Sequence, residues 1–344
     1  MPESNLYPYR IFISYARDDD ELATRIIEIL KKLSLKPMRD RDLTAGTPFT
    51  SKIREMISRA HIFMPILTPT SVQRAWVHQE IGYATALNIP FLPIAFGNAL
   101  PNAMMGDIHA IQADFDLSGL EESLRKFDFD QLVLPPPTKP FANIEIVETP
   151  FERTQMIVKG AQWAADLGEY GMVRQQGWIG SFSIPSVTID DPIWTKREGN
   201  SPRSTEYRAL QREERNILER HGRMRGCRLI LNFQMPARGV YKDSQTHRRT
   251  IFRDFLIGMP DNTVEIALSY RLDVENLLIL GDHYCMDSRI YSTSGYSHAA
   301  FFAHPPTVLR KIQQFDRIFN ELPTKLNRDE AVRLLNQLID HPPE

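Results

Sequence analysis

Arg10-Ile-Phe-Ile-Ser-Tyr-Ala-Arg-Asp-Asp-Asp20 is the stretch on which the fold turns. Ile11, Phe12 and Ile13 form a short apolar run of β-branched and aromatic side chains, which reads as a buried strand. The aspartates that follow carry capping oxygens and negative charge, both of which suit the start of a helix. From Asp20 onward, Leu22, Ile26, Ile29, Leu30 and Leu33 fall on one helical face. A buried strand that runs straight into an amphipathic helix is the opening of a strand–helix–strand unit.

The same alternation continues downstream. A short strand is expected near Lys36-Pro-Met38, then a polar loop over 39–48. A helix from Phe49 to Ala60 points Ile53, Met56 and Ile57 inward. His61 to Leu67 reads as a third element of the sheet, Trp76 to Leu87 as a helix, and Ile89 to Ala95 as a fourth strand. Continuous apolar strands separated by helices predict an α/β domain with a parallel sheet covered on both faces. In such sheets ligands sit beyond the carboxyl ends of the strands. That edge holds the loops at 15–19, 39–48 and 68–74.

Leu134-Pro-Pro-Pro-Thr-Lys-Pro140 interrupts the pattern, because proline lacks an amide donor and restricts the residue before it. The expected division is a first domain over 1–133, a linker over 134–140 and a second domain over 141–344. The length of 344 residues suits two domains. The net charge of −2 gives no global attraction to nucleic acid or to an anionic membrane, so neither is expected as a partner. Two cysteines exclude a disulfide framework and a four-thiolate metal site. The N-terminal stretch has no basic region followed by an apolar core, and no 18-residue apolar run occurs; a cytoplasmic protein is the expectation.

Three motifs in order carry a family resemblance. Phe12-Ile-Ser-Tyr15 with its polar loop resembles the first box of TIR domains. Arg39-Asp-Arg-Asp-Leu-Thr-Ala-Gly46, with Asp42, Leu43 and Gly46, is similar to the TIR BB loop, which serves TIR–TIR assembly. Ala75-Trp-Val-His-Gln-Glu80 resembles the helix bearing the glutamate of NAD-cleaving TIR enzymes. The resemblance implies a flavodoxin-like sheet and cleavage of the nicotinamide–ribose bond, with Glu80 as the catalyst projecting into a dinucleotide crevice. It places Arg17 near the NAD phosphates and Phe49 and Trp76 along the pocket. NAD would be a substrate, with no separate cofactor and no metal. One carboxylate suits that chemistry, because nicotinamide leaves as a neutral molecule and the site must mainly stabilise a ribosyl cation. Trp76 and Glu80 lie four residues apart, on one helix face. The alternative is a TIR adaptor that uses the same loops for protein contacts and performs no chemistry. The resemblance further implies a homo-oligomer, and a role as an effector in bacterial antiphage defence, switched on by a trigger, a nucleotide-like small molecule or a protein, acting on the second domain.

The second domain reads as α/β or α+β. Glu152 to Glu169, Pro202 to Gly222, Pro305 to Leu322 and Asp329 to Ile339 are expected helices. Arg228 to Phe233, Thr263 to Ser269 and Asn276 to Leu280 are expected strands, with a further one at Arg289-Ile-Tyr-Ser. Leu277 to Asp282, Ala303 to Leu309 and Phe315 to Phe319 resemble phospholipase-D-like domains that have lost catalysis. Basic residues, mostly arginine, outnumber acidic ones between Lys196 and Arg253. Arginine forks match phosphate oxygens, so Arg225, Arg228, Arg248 and Arg249 are candidates for binding an anionic, nucleotide-like signal. The competing reading is a solvated helical face neutralised by its own glutamates.

Overall fold

A computed structural model of the chain describes residues 8–39, 49–99, 108–133, 144–178, 181–183, 202–232, 241–269, 276–291 and 295–341. They fall into two compact units: Met1–Asn143 with His304–Arg310, and Ile144–Ala303 with Lys311–Glu344. The proline-rich segment expected to be a linker lies outside the described residues. The grouping of His304–Arg310 with the first unit has no counterpart in the sequence pattern.

The first unit is built on β1 (Arg10–Ser14), β2 (Lys36–Met38), β3 (Ile62–Leu67), β4 (Ile94–Phe96) and β5 (Ile111–Ala113). Their order is β2-β1-β3-β4-β5, and every pairing is parallel. Helices α1 (Asp20–Lys32), α2 (Phe49–Ser58), α3 (Ala75–Ala86), α4 (Leu120–Lys126) and α5 (Phe129–Val133) complete it. This is the flavodoxin-like strand order, whose topological switch point lies between β1 and β3. Both strands are buried along their whole length, which explains their unbroken apolar runs. Phe12 pairs in register with Phe63, and their rings stack 5.7 Å apart. The fourth strand is shorter than the expected Ile89–Ala95. Pro90 and Pro93 offer no amide hydrogens, so only Phe91 makes a bridge before β4 begins at Ile94. Strand β5 and the helices α4 and α5 add to the elements expected from the sequence.

The second unit contains an eight-stranded sheet. Its strands are β6 (Ile144–Val147), β7 (Val173–Trp178), β8 (Cys227–Asn232), β9 (Val264–Leu268), β10 (Asn276–Leu280), β11 (Tyr284–Tyr291), β12 (Gly295–Phe302) and β13 (Lys325–Asn327). The order is β13-β9-β8-β7-β10-β11-β12-β6, with β7, β8 and β9 parallel and the remaining pairings antiparallel. It is a mixed-sheet α/β domain. Helices α6 (Pro150–Asp166), α7 (Pro202–Arg225), α8 (Tyr241–Gly258) and α10 (Arg328–Asp340) supply Ile157, Leu218, Phe255 and Leu335 to one core with Leu229, Ile266 and Leu278 of the sheet. Helix α9 (Pro305–Glu321) passes from residues of the first unit to residues of the second. Thr149 starts α6 with a reciprocal capping box to Glu152.

Strand β7 escapes the sequence pattern because Arg174, Gln175 and Gln176 resemble a surface segment. Arg174 is fully buried, and its guanidinium grips both oxygens of Asp316 at 2.9 and 3.0 Å. Arg228 reaches the same carboxylate at 3.0 Å and Glu265 at 2.7 Å, and lies 5.0 Å from the ring centre of Phe319. Just before the strand begins, Gly171 passes so close to Gly281 that a Cβ on residue 171 would lie 2.5 Å from the Gly281 Cα. Only glycine permits that approach.

Candidate active site

Alternation along β1 puts Phe12 and Ser14 on one face of the sheet. Helix α3 packs on that face: Phe12, Phe63, Val77, Ile81 and Ala84 belong to one apolar cluster. Helical spacing then carries Glu80 inward with Val77, Ile81 and Ala84. Glu80 is 5% exposed, and Ser14, 1% exposed, donates its hydroxyl hydrogen to Glu80 Oε2 at 2.5 Å. A carboxylate on the core face of a helix carries a desolvation cost unless it is hydrogen-bonded. The resemblance implied a side chain projecting into a crevice. In the chain by itself Glu80 is instead covered, and it is held from the carboxyl end of β1.

Polar side chains surround the two strand ends at this edge. Tyr15 donates to Asp20 Oδ1 at 3.0 Å, and Thr68 donates to Asp19 Oδ2 at 2.8 Å. Burial raises the Asp19 carboxyl above its ordinary value, while the Thr68 hydroxyl opposes that shift. Ser71 and Thr68 exchange backbone–side-chain hydrogen bonds that fix the turn after β3. Asp18 pairs with Arg74 at the entry to α3. His78 is turned to the Val72 carbonyl at 2.9 Å. The segments that follow β1 and β3 are therefore pinned by their own side chains.

Of the expected pocket residues, Arg17 is exposed. Trp76 is half-buried against the apolar cluster that lines α3. Phe49 is the first residue of α2, and its side chain lies outside the described set. Asp42, Leu43 and Gly46 also lie outside the described residues. Sequence reasoning misses Ser14, Asp19 and Thr68. The available signal for Ser14 is a polar residue ending an otherwise apolar strand.

Three of the four arginines expected to bind an anion are engaged by other residues of the fold. Arg228 is engaged by Asp316 and Glu265, Arg225 donates to the Tyr170 carbonyl at 3.1 Å, and buried Arg249 donates to the Leu338 carbonyl at 3.2 Å. Arg248 sits on α8 beside Arg249. Long guanidinium reach lets distant partners claim Arg225, Arg228 and Arg249, which their spacing in sequence does not reveal. Among the described residues, no group of three or more His, Cys, Asp or Glu is placed to hold a metal ion. No helix among them is long and apolar enough to cross a membrane. Cys227 and Cys285 are buried free thiols, both pushed up to about 12 by burial.

A doubly wound parallel sheet with a buried carboxylate behind its first strand defines the class of the first unit. Residues 11–128 match the TIR domain family. No curated protein matches the chain. Among solved structures, the chain is similar to the Clostridium botulinum CMP N-glycosidase BcmB, at 14% identity over 34% of this chain and 99% of that one, with a TM-score of 0.28. It is similar to TrmBL2, an archaeal chromatin protein, at 10% identity over 52% and 54%, with a TM-score of 0.29. It is also similar to a metazoan TIR-STING receptor from C. gigas in complex with 2',3'-cGAMP, at 15% identity over 97% and 86%, with a TM-score of 0.32. Nothing in these comparisons supports the phospholipase-D-like resemblance of the C-terminal half.

Proposed function

We propose that the TIR unit is an NAD glycohydrolase that releases nicotinamide and leaves ADP-ribose or a cyclic isomer. The observation that carries this reading is Glu80: a carboxylate on the core-facing side of α3, where packing alone favours an apolar residue, in a segment matching the TIR family. Local departures from packing rules of this kind concentrate at functional sites.

In the proposed reaction the bond between the ribose C1' and the pyridinium nitrogen breaks, and its electron pair leaves with neutral nicotinamide. The ribosyl centre develops positive charge, and the Glu80 carboxylate stabilises it in a site of low dielectric. Water adds at C1' and loses a proton to give ADP-ribose; attack by an adenine nitrogen gives the cyclic product. Arg17 is assigned to the phosphates, and Trp76 and Phe49 to the walls of the pocket. Because Glu80 is covered in the single chain, substrate access requires a rearrangement. Assembly of TIR units driven by the second domain would supply it, making activity depend on concentration and on a trigger. An effector role in antiphage defence, and a cytoplasmic location, belong to this proposal.

The second reading, a non-catalytic TIR scaffold, is favoured by that same 5% exposure. Incubating full-length protein with NAD over a range of concentrations, and following nicotinamide by chromatography, separates the two. The glycohydrolase reading expects turnover that Glu80→Gln abolishes. The scaffold reading expects none, and turnover unaffected by the substitution would remove Glu80 as the catalyst.

A further inference from the structure

We propose that Ser14 is a positioning residue for the Glu80 carboxylate, fixing which way its two oxygens face in the proposed NAD-cleaving site; the inference rests on that reading. The residues are 66 positions apart in sequence and meet through a 2.5 Å hydrogen bond. A carboxylate accepts only, so the hydroxyl must be the donor, and its hydrogen is committed to Oε2. Donation to a charged acceptor gives a short, strong bond, and a water-excluded setting strengthens it further.

The support beneath Ser14 is rigid. It is the last residue of β1, which is flanked on both sides by parallel partners, and it lies in register with Pro65 of β3. One pleat behind it, on the same face, Phe12 is stacked on Phe63. The chain beyond it is tied down by Tyr15 to Asp20 and by Asp19 to Thr68. Serine also has a single side-chain torsion carrying the hydroxyl, so little freedom remains once the backbone is fixed. Glutamate has three. Left alone on a helix, its carboxyl group samples several directions. A strand-borne hydroxyl removes that freedom before substrate arrives, which is how preorganised sites save reorganisation in the transition state.

A merely structural bond predicts a different pattern of effects. If Ser14 only offsets the burial of Glu80, its loss lowers stability and leaves the turnover of folded molecules alone. If it positions the carboxylate, its loss lowers kcat and leaves KM nearly unchanged, because ground-state binding of NAD does not depend on the orientation of Glu80.

The test uses full-length protein in three forms: unsubstituted, Ser14→Ala and Ser14→Thr. Ser14→Ala is expected to lower kcat by about tenfold, with KM within about twofold; Ser14→Thr, which keeps the hydroxyl, is expected to restore most of kcat. Equal kcat in Ser14→Ala and the unsubstituted protein would overturn the assignment. An independent readout needs no turnover. In protein labelled with 13C at glutamate carboxyls, the Glu80 resonance, assigned through Glu80→Gln, is expected to move in Ser14→Ala and to return toward its original position in Ser14→Thr. A resonance indifferent to Ser14 overturns the positioning role even if NAD is cleaved. Absence of NAD cleavage with a resonance that does respond removes the enzymatic reading instead, and the two failures are thereby told apart.

Discussion

The two units bury charge in different ways. In the second, fully buried Arg174 is neutralised by Asp316, which it shares with Arg228, and Arg228 also pairs with the exposed Glu265. Glu214, also fully buried, lies 3.5 Å from Arg153 and accepts from Ser181. In the first unit, the hydroxyl of Ser14 holds the buried carboxylate of Glu80. An ion-paired carboxylate is committed to its partner, and moving it costs that pairing. The Ser14 hydroxyl is itself neutral, so the hydrogen bond it donates satisfies Glu80 Oε2 without adding a countercharge. The lesson is that a buried carboxylate can be satisfied by a hydroxyl donor as well as by a guanidinium.

The largest effect expected from this contrast is on stability in the second unit. Asp316→Ala strips the fully buried Arg174 of its carboxylate and should cost about 3–5 kcal/mol, read from urea unfolding of that unit. Replacing both partners, as in Arg174→Met with Asp316→Leu, should cost much less, since a well-packed apolar pair can match a buried ion pair. If the double substitution proves as damaging as the single one, the network is more than mutual neutralisation. Gly171→Ala comes next. Its new methyl would meet the Gly281 backbone, and about 1–3 kcal/mol is expected by the same measurement.

The smallest effect is a pH dependence set by buried histidines. His221 Nδ1 accepts from the Gly171 amide at 3.1 Å, so Nε2 carries the proton and donates to the Ala161 carbonyl at 2.9 Å. Burial lowers its affinity for a second proton below the ordinary value, and the same holds for His304. The unfolded chain thus binds more protons than the folded one as pH falls below the ordinary histidine value of about 6.5. Their contribution is fully present above that value and is lost toward the depressed folded values. Melting temperature should accordingly decline between pH 7 and 5, and His221→Gln should flatten the decline. An unchanged slope in that variant would remove His221 from the account.

Legibility in the sequence follows the range of the interactions. Strands β1 and β3 are readable because burial on both faces leaves an unbroken apolar run. Glu80 is readable through its motif with Trp76. Ser14 is not, since only the parallel sheet brings residue 14 to residue 80. Strand β7 is hidden because Arg174 is made compatible with a core by Asp316, 142 residues away. Strand β12, Gly-Tyr-Ser-His-Ala-Ala-Phe-Phe, lacks alternation, and helix α8 begins with a polar stretch that resembles a loop. The arginine-rich region suggests a shared anion site through composition, whereas the fold gives Arg225, Arg228 and Arg249 separate partners.

The most direct measurement is NAD turnover by full-length protein, assayed over a range of protein concentrations beside Glu80→Gln. The account predicts nicotinamide release that rises more than proportionally with protein concentration, and a loss on the order of a hundredfold or more in the variant. Equal nicotinamide release from the two proteins would contradict it.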